Sequence, residues 1–312
     1  MFKKISNKTL LIVISVLAAI VLIVNYIDSR KSNRTFREVL VQIDSTSVTQ
    51  ILLYPKATDH EEVKLEKIGD LWQVTLPNGK KAVVPVDRIQ GLIVELERIK
   101  PMRLAATKPS RWSDFQTDTS GTRVKVIEGE TTTLDIIIGR FDFDQQARSA
   151  TSFVRLYDDS SVYAVNGFLE LSFNQGYDNF RDKVIIQTTA ATILQVNFVY
   201  PDSSFAIVKN NDTWLIDDLE LDSTQVASYL NALSNINGNQ FVDDADQAFI
   251  SNATYSLRVE TMDAGTITID AYIDSTRSIV NSSQNPDSYF NGHINNLTKA
   301  LFVGSSKFLP VQ

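Results

Sequence analysis

Asp70-Leu71-Trp72-Gln73-Val74 and Asp212-Thr213-Trp214-Leu215-Ile216 are two versions of one short passage, offset by 142 residues (72 to 214). Each tryptophan lies on the second arm of an expected hairpin. The first joins Val63–Ile68 to Leu71–Leu76 through Gly69-Asp70, and the second joins Ser204–Lys209 to Thr213–Asp217 through Asn210-Asn211. Alternating apolar residues interrupted by a Gly-Asp or Asn-Asn pair are the hairpin signature, because those residues tolerate the tight turn. Both rings are expected in cores, since their strands alternate.

Working outward, both halves continue alike. Asp87-Arg88-Ile89-Gln90 and Asp222-Ser223-Thr224-Gln225 each supply a helix cap and a Gln three residues on, as in a capping box. The apolar stripe Ile89, Leu92, Ile93, Leu96, Ile99 returns as Val226, Tyr229, Leu230, Leu233, Ile236 at a constant offset of 137. Strands Thr122–Glu128 and Thr132–Ile138 answer Tyr255–Thr261 and Thr266–Tyr272, with Val126 and Val259 offset by 133. The offset shrinks only across connecting loops, which tolerate length changes, so the pattern reads as a duplication. Units of this size are domains rather than solenoid turns. Strands outnumber helices and follow one another as hairpins, so the expected class is α+β, with two tandem homologous, mostly antiparallel domains.

The N-terminus sets a different constraint. Thr9–Ile27 (TLLIVISVLAAIVLIVNYI) has no charge over nineteen residues, and at about 1.5 Å per residue it reaches about 28 Å, enough to cross a bilayer core. A secretory signal has a shorter apolar core followed by a small-x-small site, which Asn25-Tyr26-Ile27-Asp28 does not offer. The expectation is a retained transmembrane helix. The organisation then reads as a cytoplasmic tail at 1–8, the span at 9–27, a juxtamembrane segment at 28–47, a first repeat domain at 48–170, an ordered connector at 171–191 and a second repeat domain at 192–312. Lys3, Lys4, Lys8 and the terminal amine precede the span, and Arg30, Lys31, Arg34 and Arg37 follow it. With that tie, charge alone does not settle the orientation.

The whole chain has net charge −7, and from Thr192 onward five basic residues face fourteen acidic ones, a net of −9. Such a surface repels phosphate backbones, so nucleic acid is not an expected partner. There is no Cys, and the two histidines, His60 and His293, stand apart in polar stretches without metal-ligand spacing. Asp142-Phe143-Asp144 and Asp243-Asp244-Ala245-Asp246 lack the Gly turn and distal Glu of a calcium loop and read as solvated acidic loops. Gly304-Ser305-Ser306 reads as a turn between terminal strands, and no nucleophile elbow or phosphate loop occurs. These observations point to no catalytic residues, no metal and no cofactor. A carboxylate pair for glycan hydrolysis stays open among 37 acids.

Thr151-Ser152-Phe153-Val154-Arg155-Leu156, then Ser161 to Leu169 (SVYAVNGFL), then Phe180-Arg181-Asp182-Lys183 resemble a bacterial family known as domain of unknown function 4340. The strand at Thr122–Val126 and Ile136-Ile137-Ile138-Gly139 fit the same pattern, whereas Trp112-Ser113-Asp114-Phe115 departs from the family's aromatic-Gly-Leu. Arg155, Tyr163, Gly167, Arg181, Asp182, Lys183 and Gly139 are the motif residues, with no role implied for any of them. The resemblance implies a single-span envelope protein with its bulk in the periplasm, beside an ABC-type transporter of the gliding-motility kind and its auxiliary subunit. The expected function is thus a membrane-anchored periplasmic accessory or scaffold protein, not an enzyme. The alternatives are an envelope glycan hydrolase and a glycan-binding or adhesion module. Peptide mapping of the mature protein should find its first residue at or near Met1; a chain beginning after Ile27 would overturn the anchor.

Overall fold

The computed structural model describes residues 37–310. Thr9–Ile27 lies outside the described residues, and no helix among those described is long and apolar enough to cross a membrane. The chain forms two compact units. One is Val86–Asn179 with the described part of Met1–Val74; the other is Thr75–Pro85 with the described part of Phe180–Gln312. Their division falls inside the segment expected as a connector.

The class is α+β, dominated by antiparallel sheet. In the first unit β1 (Val48–Tyr54), β2 (Val63–Ile68), β3 (Leu71–Thr75), β5 (Pro101–Ala106), β6 (Thr122–Glu128), β7 (Thr131–Asp144), β8 (Ser149–Leu156) and β9 (Val162–Asn166) run in the order β3-β2-β1-β6-β7-β8-β9-β5. Between β3 and β5 come β4 (Lys81–Val84), in the segment grouped with the second unit, and helix α1 (Val86–Glu97). After β9 comes the short helix α2 (Leu169–Phe173).

The second unit holds β10 (Val184–Gln187), β11 (Ile193–Val199), β12 (Ser204–Asn210), β13 (Thr213–Ile216), β14 (Leu219–Glu220), helix α3 (Ser223–Leu233), β15 (Asn235–Asn237), β16 (Tyr255–Thr261), β17 (Gly265–Ile273), β18 (Ser278–Ser282), β19 (Asn285–Asn291) and helix α4 (Leu297–Leu301). Its main sheet runs β14-β13-β12-β11-β16-β17-β18-β19, and β10 pairs with β15 separately.

Register carries the likeness further than order. Val124↔Ile136 and Val126↔Leu134 pair across β6 and β7, and Leu257↔Ile269 and Val259↔Ile267 pair across β16 and β17. All four residues of the second set sit at a constant offset of 133 from the first. Lys67↔Trp72 answers Lys209↔Trp214. A register shift falls between Val48 and Gln50 on β1, and between Ile193 and Gln195 on β11, an identical place in each pairing. Bulges insert an unpaired residue and bend the strand, so their position is a specific feature of a sheet.

The helix stripes are core. Ile89, Leu92, Ile93 and Leu96 are buried on α1, and Val226, Tyr229, Leu230 and Leu233 on α3. Trp72 is buried, and Trp214 is half-buried against the second unit's core. Several local expectations need correction. Helix α1 starts at Val86, which puts Asp87 in its first turn rather than at its cap; Pro85 closes β4 and lets the helix begin at once. Asp222 does cap α3, accepting from the N–H groups of Thr224 and Gln225, but its own N–H goes to Phe308 O instead of to a Gln side chain. Asp142-Phe143-Asp144 is the end of β7, not a loop, because β7 runs on with β8 as a long ribbon. Gly304-Ser305-Ser306 leads into a 3-10 turn, Ser305–Phe308, that follows α4 rather than joining strands.

Two phenols lock the end of the second unit. Tyr229 donates to Leu301 O (2.7 Å) and Tyr200 donates to Val303 O (2.6 Å). Burial pushes the Tyr229 hydroxyl well above its ordinary value and Tyr200 up to about 12. Folded pKa values above the unfolded one, about 10, mean that their contribution is whole below pH about 10 and is lost as pH rises toward the folded values. The urea midpoint of the second unit should therefore fall between pH about 10 and about 12, and Tyr229→Phe should flatten the fall. A level midpoint in the unsubstituted chain would contradict this.

Candidate functional site

The motif residues sort into two groups. Gly139, Arg155, Tyr163 and Gly167 belong to the first unit, and Arg181, Asp182 and Lys183 to the second. The second group fastens its unit. Arg181 is 3% exposed, makes paired 2.8 Å bonds to Asp243, and lies 3.5 Å from the Phe241 ring centroid. Asp182 donates its N–H to Val83 O, accepts from Val184 N–H through its carboxylate, and accepts from the Asn285 amide through its carbonyl. The Lys183 carbonyl receives the Gly238 N–H. A methyl group on Gly238 would lie 2.0 Å from the Phe290 ring.

In the first unit, Gly167 has φ 110°, a conformation that favours glycine. Its carbonyl accepts from the Ser152 hydroxyl, which in turn accepts from Leu169 N–H, so this turn sets the start of α2. Tyr163 is buried on β9 opposite Val154 and Leu104, and burial raises its hydroxyl pKa. Gly139 solves a close approach. Any Cβ there would sit 2.0 Å from Phe115 O, and one at Gly121 would sit 2.3 Å from Gln116 O. Their bare backbones let the Pro109–Gly121 segment lie flat on the sheet.

Arg155 pins that segment. It is 3% exposed on β8, and its Nε donates to Thr117 O (2.8 Å). Nη1 donates to the carbonyls of Leu156, Tyr157 and Asp159. The Trp112 ring lies over the guanidinium at 3.7 Å, its own N–H donating to Ser160 O. Burial pulls the Arg155 pKa downward, yet a guanidinium stays protonated at any physiological pH.

Above Trp112 opens a cavity of about 540 Å³, lined by Tyr54, His60, Trp112, Asp118, Thr119, Gly121, Arg123, Ile137, Arg155 and Tyr157. Arg123 forks onto Asp135 at 2.8 and 2.6 Å and stacks on Tyr157 at 3.4 Å. The Ser120 hydroxyl holds the Asp118 carboxyl below its usual range, so Asp118 is ionised at neutral pH. Burial, helped by a hydrogen bond to Glu62, pushes Tyr54 up to about 12. His60 stands at the rim in a left-handed conformation, φ 62°, with Nδ1 3.3 Å from Tyr54 O.

Residues 72–257, more than half the chain, match the family described as Domain of unknown function (DUF4340). The chain belongs to that family. The matched stretch contains every motif residue named above, and in this DUF4340 member they are devices of fold and cavity wall. No curated protein and no solved structure matches the chain.

The cavity combines residues that sequence reasoning both found and missed. Of its lining, Arg155 is a family-motif residue, Trp112 stands in the stretch that departs from the family pattern, Arg123 lies in the fitting strand Thr122–Val126, and Asp118 was missed. An arginine at an inward position of the strand SATSFVRL was a readable signal. Another was a tryptophan in a polar, non-alternating stretch, unlike Trp72 and Trp214. The acidic clusters are spent on structure: Asp243 holds Arg181, the Asp246 carboxylate takes the Ala248 N–H, Asp144 takes those of Gln146 and Ala147, and Asp142 pairs with Arg140. Among the described residues no group of three His, Cys, Asp or Glu is placed to hold a metal. Gly139→Ala should lift the Pro109–Gly121 segment and lower stability by about 1–3 kcal/mol, the usual cost of overpacking. Urea unfolding checks it, and an unchanged midpoint would mean the segment is not seated on Gly139.

Proposed function

We propose that this chain is a membrane-anchored accessory protein of the cell envelope that binds and holds partners instead of turning over a substrate. The observation that carries the binding half is the chemistry of the Arg155 cavity. Its charged walls are arginines, which hold their protons, and its single carboxylate among the lining residues, Asp118, is kept ionised by Ser120. Glycan hydrolysis calls for two carboxylates flanking one bond, with one of them protonated. The lining instead suits recognition.

The two units are read as a tandem duplication. Matching strand order, the constant offset of 133 through β6–β7 and β16–β17, and bulges at equivalent places support that reading. Two similar units give two surfaces that can diverge while sharing a scaffold. The uncharged Thr9–Ile27 stretch supports a single-span anchor in the inner membrane, with both units in the periplasm. The resemblance that identified the family suggests an ABC-type transporter and its auxiliary subunit as the partner class. The acidic half from Thr192 onward, net −9, is the surface we assign to that contact.

Charge complementarity of this kind sets encounter rates and is screened as the Debye length falls from about 10 Å at 0.1 M salt to about 3 Å at 1 M. Full-length chain purified in mild detergent should retain envelope proteins at 0.1 M salt and release them progressively toward 1 M. Hydrolysis of envelope glycan, abolished by one carboxylate substitution, would overturn the non-catalytic reading.

A further inference from the structure

We propose that the Arg155 cavity is a binding site for an organic carboxylate carried on an apolar body. The inference rests on the reading of this cavity as a recognition site and names its ligand class; the salt-dependent partner contact from Thr192 onward is a separate claim with its own test.

Arg155 is 97% buried, yet among the described residues no carboxylate lies within salt-bridge distance of it; its bonds go to four carbonyls through Nε and Nη1. Two other arginines of the molecule show what is missing. Arg181 and Arg123 are each held bidentate by an aspartate, Asp243 and Asp135. Carbonyl dipoles solvate a cation but do not neutralise it, so a full counter-charge at Arg155 is still favourable. Nη2 makes no hydrogen bond among the described residues, keeps contact with solvent, and belongs to a residue that lines the cavity. One open nitrogen, fixed in place by four bonds on the others, is a preorganised donor for a single oxyanion.

The rest of the lining narrows the ligand. Arg123 is neutralised by Asp135, and Asp118 adds a negative charge to the same cavity. That charge sets a limit on what a ligand can bring: a monoanion is accepted where a dianionic phosphate is repelled. Trp112, Tyr54, Ile137 and Tyr157 offer flat or apolar walls, and about 540 Å³ accommodates a ligand of ten to twenty heavy atoms in order of magnitude.

The test uses full-length chain in mild detergent and phenylacetate as probe, read by tryptophan emission. Phenylacetate should give a saturable change that Trp112→Phe removes. The neutral 2-phenylethanol should bind about tenfold more weakly or worse, and dianionic phenyl phosphate more weakly than phenylacetate. Asp118→Asn should tighten phenylacetate several-fold. Arg155 also holds two backbone segments, so this second substitution provides the arm that leaves them in place, while Arg155→Lys should abolish binding. Acetyl-Gly-Phe with a free terminus, compared with phenylacetate, distinguishes a polypeptide end from a small acid as the source of the carboxylate; either order is consistent with the site. Equal affinity for phenylacetate and 2-phenylethanol, tighter binding of phenyl phosphate, no effect of Asp118→Asn, or no saturable binding would each overturn the proposal.

Discussion

Burying a guanidinium in a sheet is expensive, and the first unit is arranged around how that cost is met. Removing an unpaired cation from water is unfavourable by several kcal/mol after relaxation. Arg155 offsets it with four carbonyls, one from the Pro109–Gly121 segment, one from Leu156 at the end of β8 and two from the turn that follows. Those two pieces of chain have no ladder of their own to join, so the arginine organises them. Lysine cannot substitute, since a point charge lacks the fork that reaches both at once. The indole of Trp112 then closes over the guanidinium and forms a cavity wall. Take away the buried charge and the segment, the wall and the cavity lose their common fastening.

Glycine is the other half of that arrangement. Carbonyls can approach the sheet closely enough to meet Arg155 only because Gly139 and Gly121 carry no side chain where Phe115 O and Gln116 O must pass. The second unit uses the same device with a different neutralising group: Arg181 is stacked on Phe241 but answered by Asp243, and Gly238 makes room for Phe290. The difference in counter-charge is what leaves one buried arginine with an open nitrogen and the other with a carboxylate pair.

Much of the sheet is legible in the sequence. Val63–Ile68 and Leu71–Val74 alternate apolar with polar around Gly69-Asp70, and Thr122–Glu128 and Tyr255–Thr261 lie where their alternation put them. The α1 and α3 stripes were readable for the same reason, a 3.6-residue period facing one core. Short elements escaped. Pro101–Ala106 became β5 only because β9 offered it a partner, and Val184–Gln187 and Asn235–Asn237 hold each other in a sheet of two. Ile99 and Ile236 fit the helical period but lie beyond α1 and α3: Ile236 is on β15, where pairing with Ile186 replaces another turn, and Ile99 stands two residues before Pro101, which cannot continue a helix.

Arg155 and Gly139 stood out only through the resemblance to the family; the sequence by itself determined the antiparallel α+β class, the two-fold recurrence of pattern and the apolar N-terminal stretch. These are properties of local periodicity and composition, which the chain carries wherever it goes. Only the tertiary structure decided that Arg155 lies under Trp112, 43 residues away in the chain, that Asp243 and not a solvent ion answers Arg181, and that Asp118 shares a cavity with an arginine it does not pair with. Such contacts depend on which strand neighbours which, on register and on a bulge. A residue's chemistry is written at its own position; its partner is chosen by the fold.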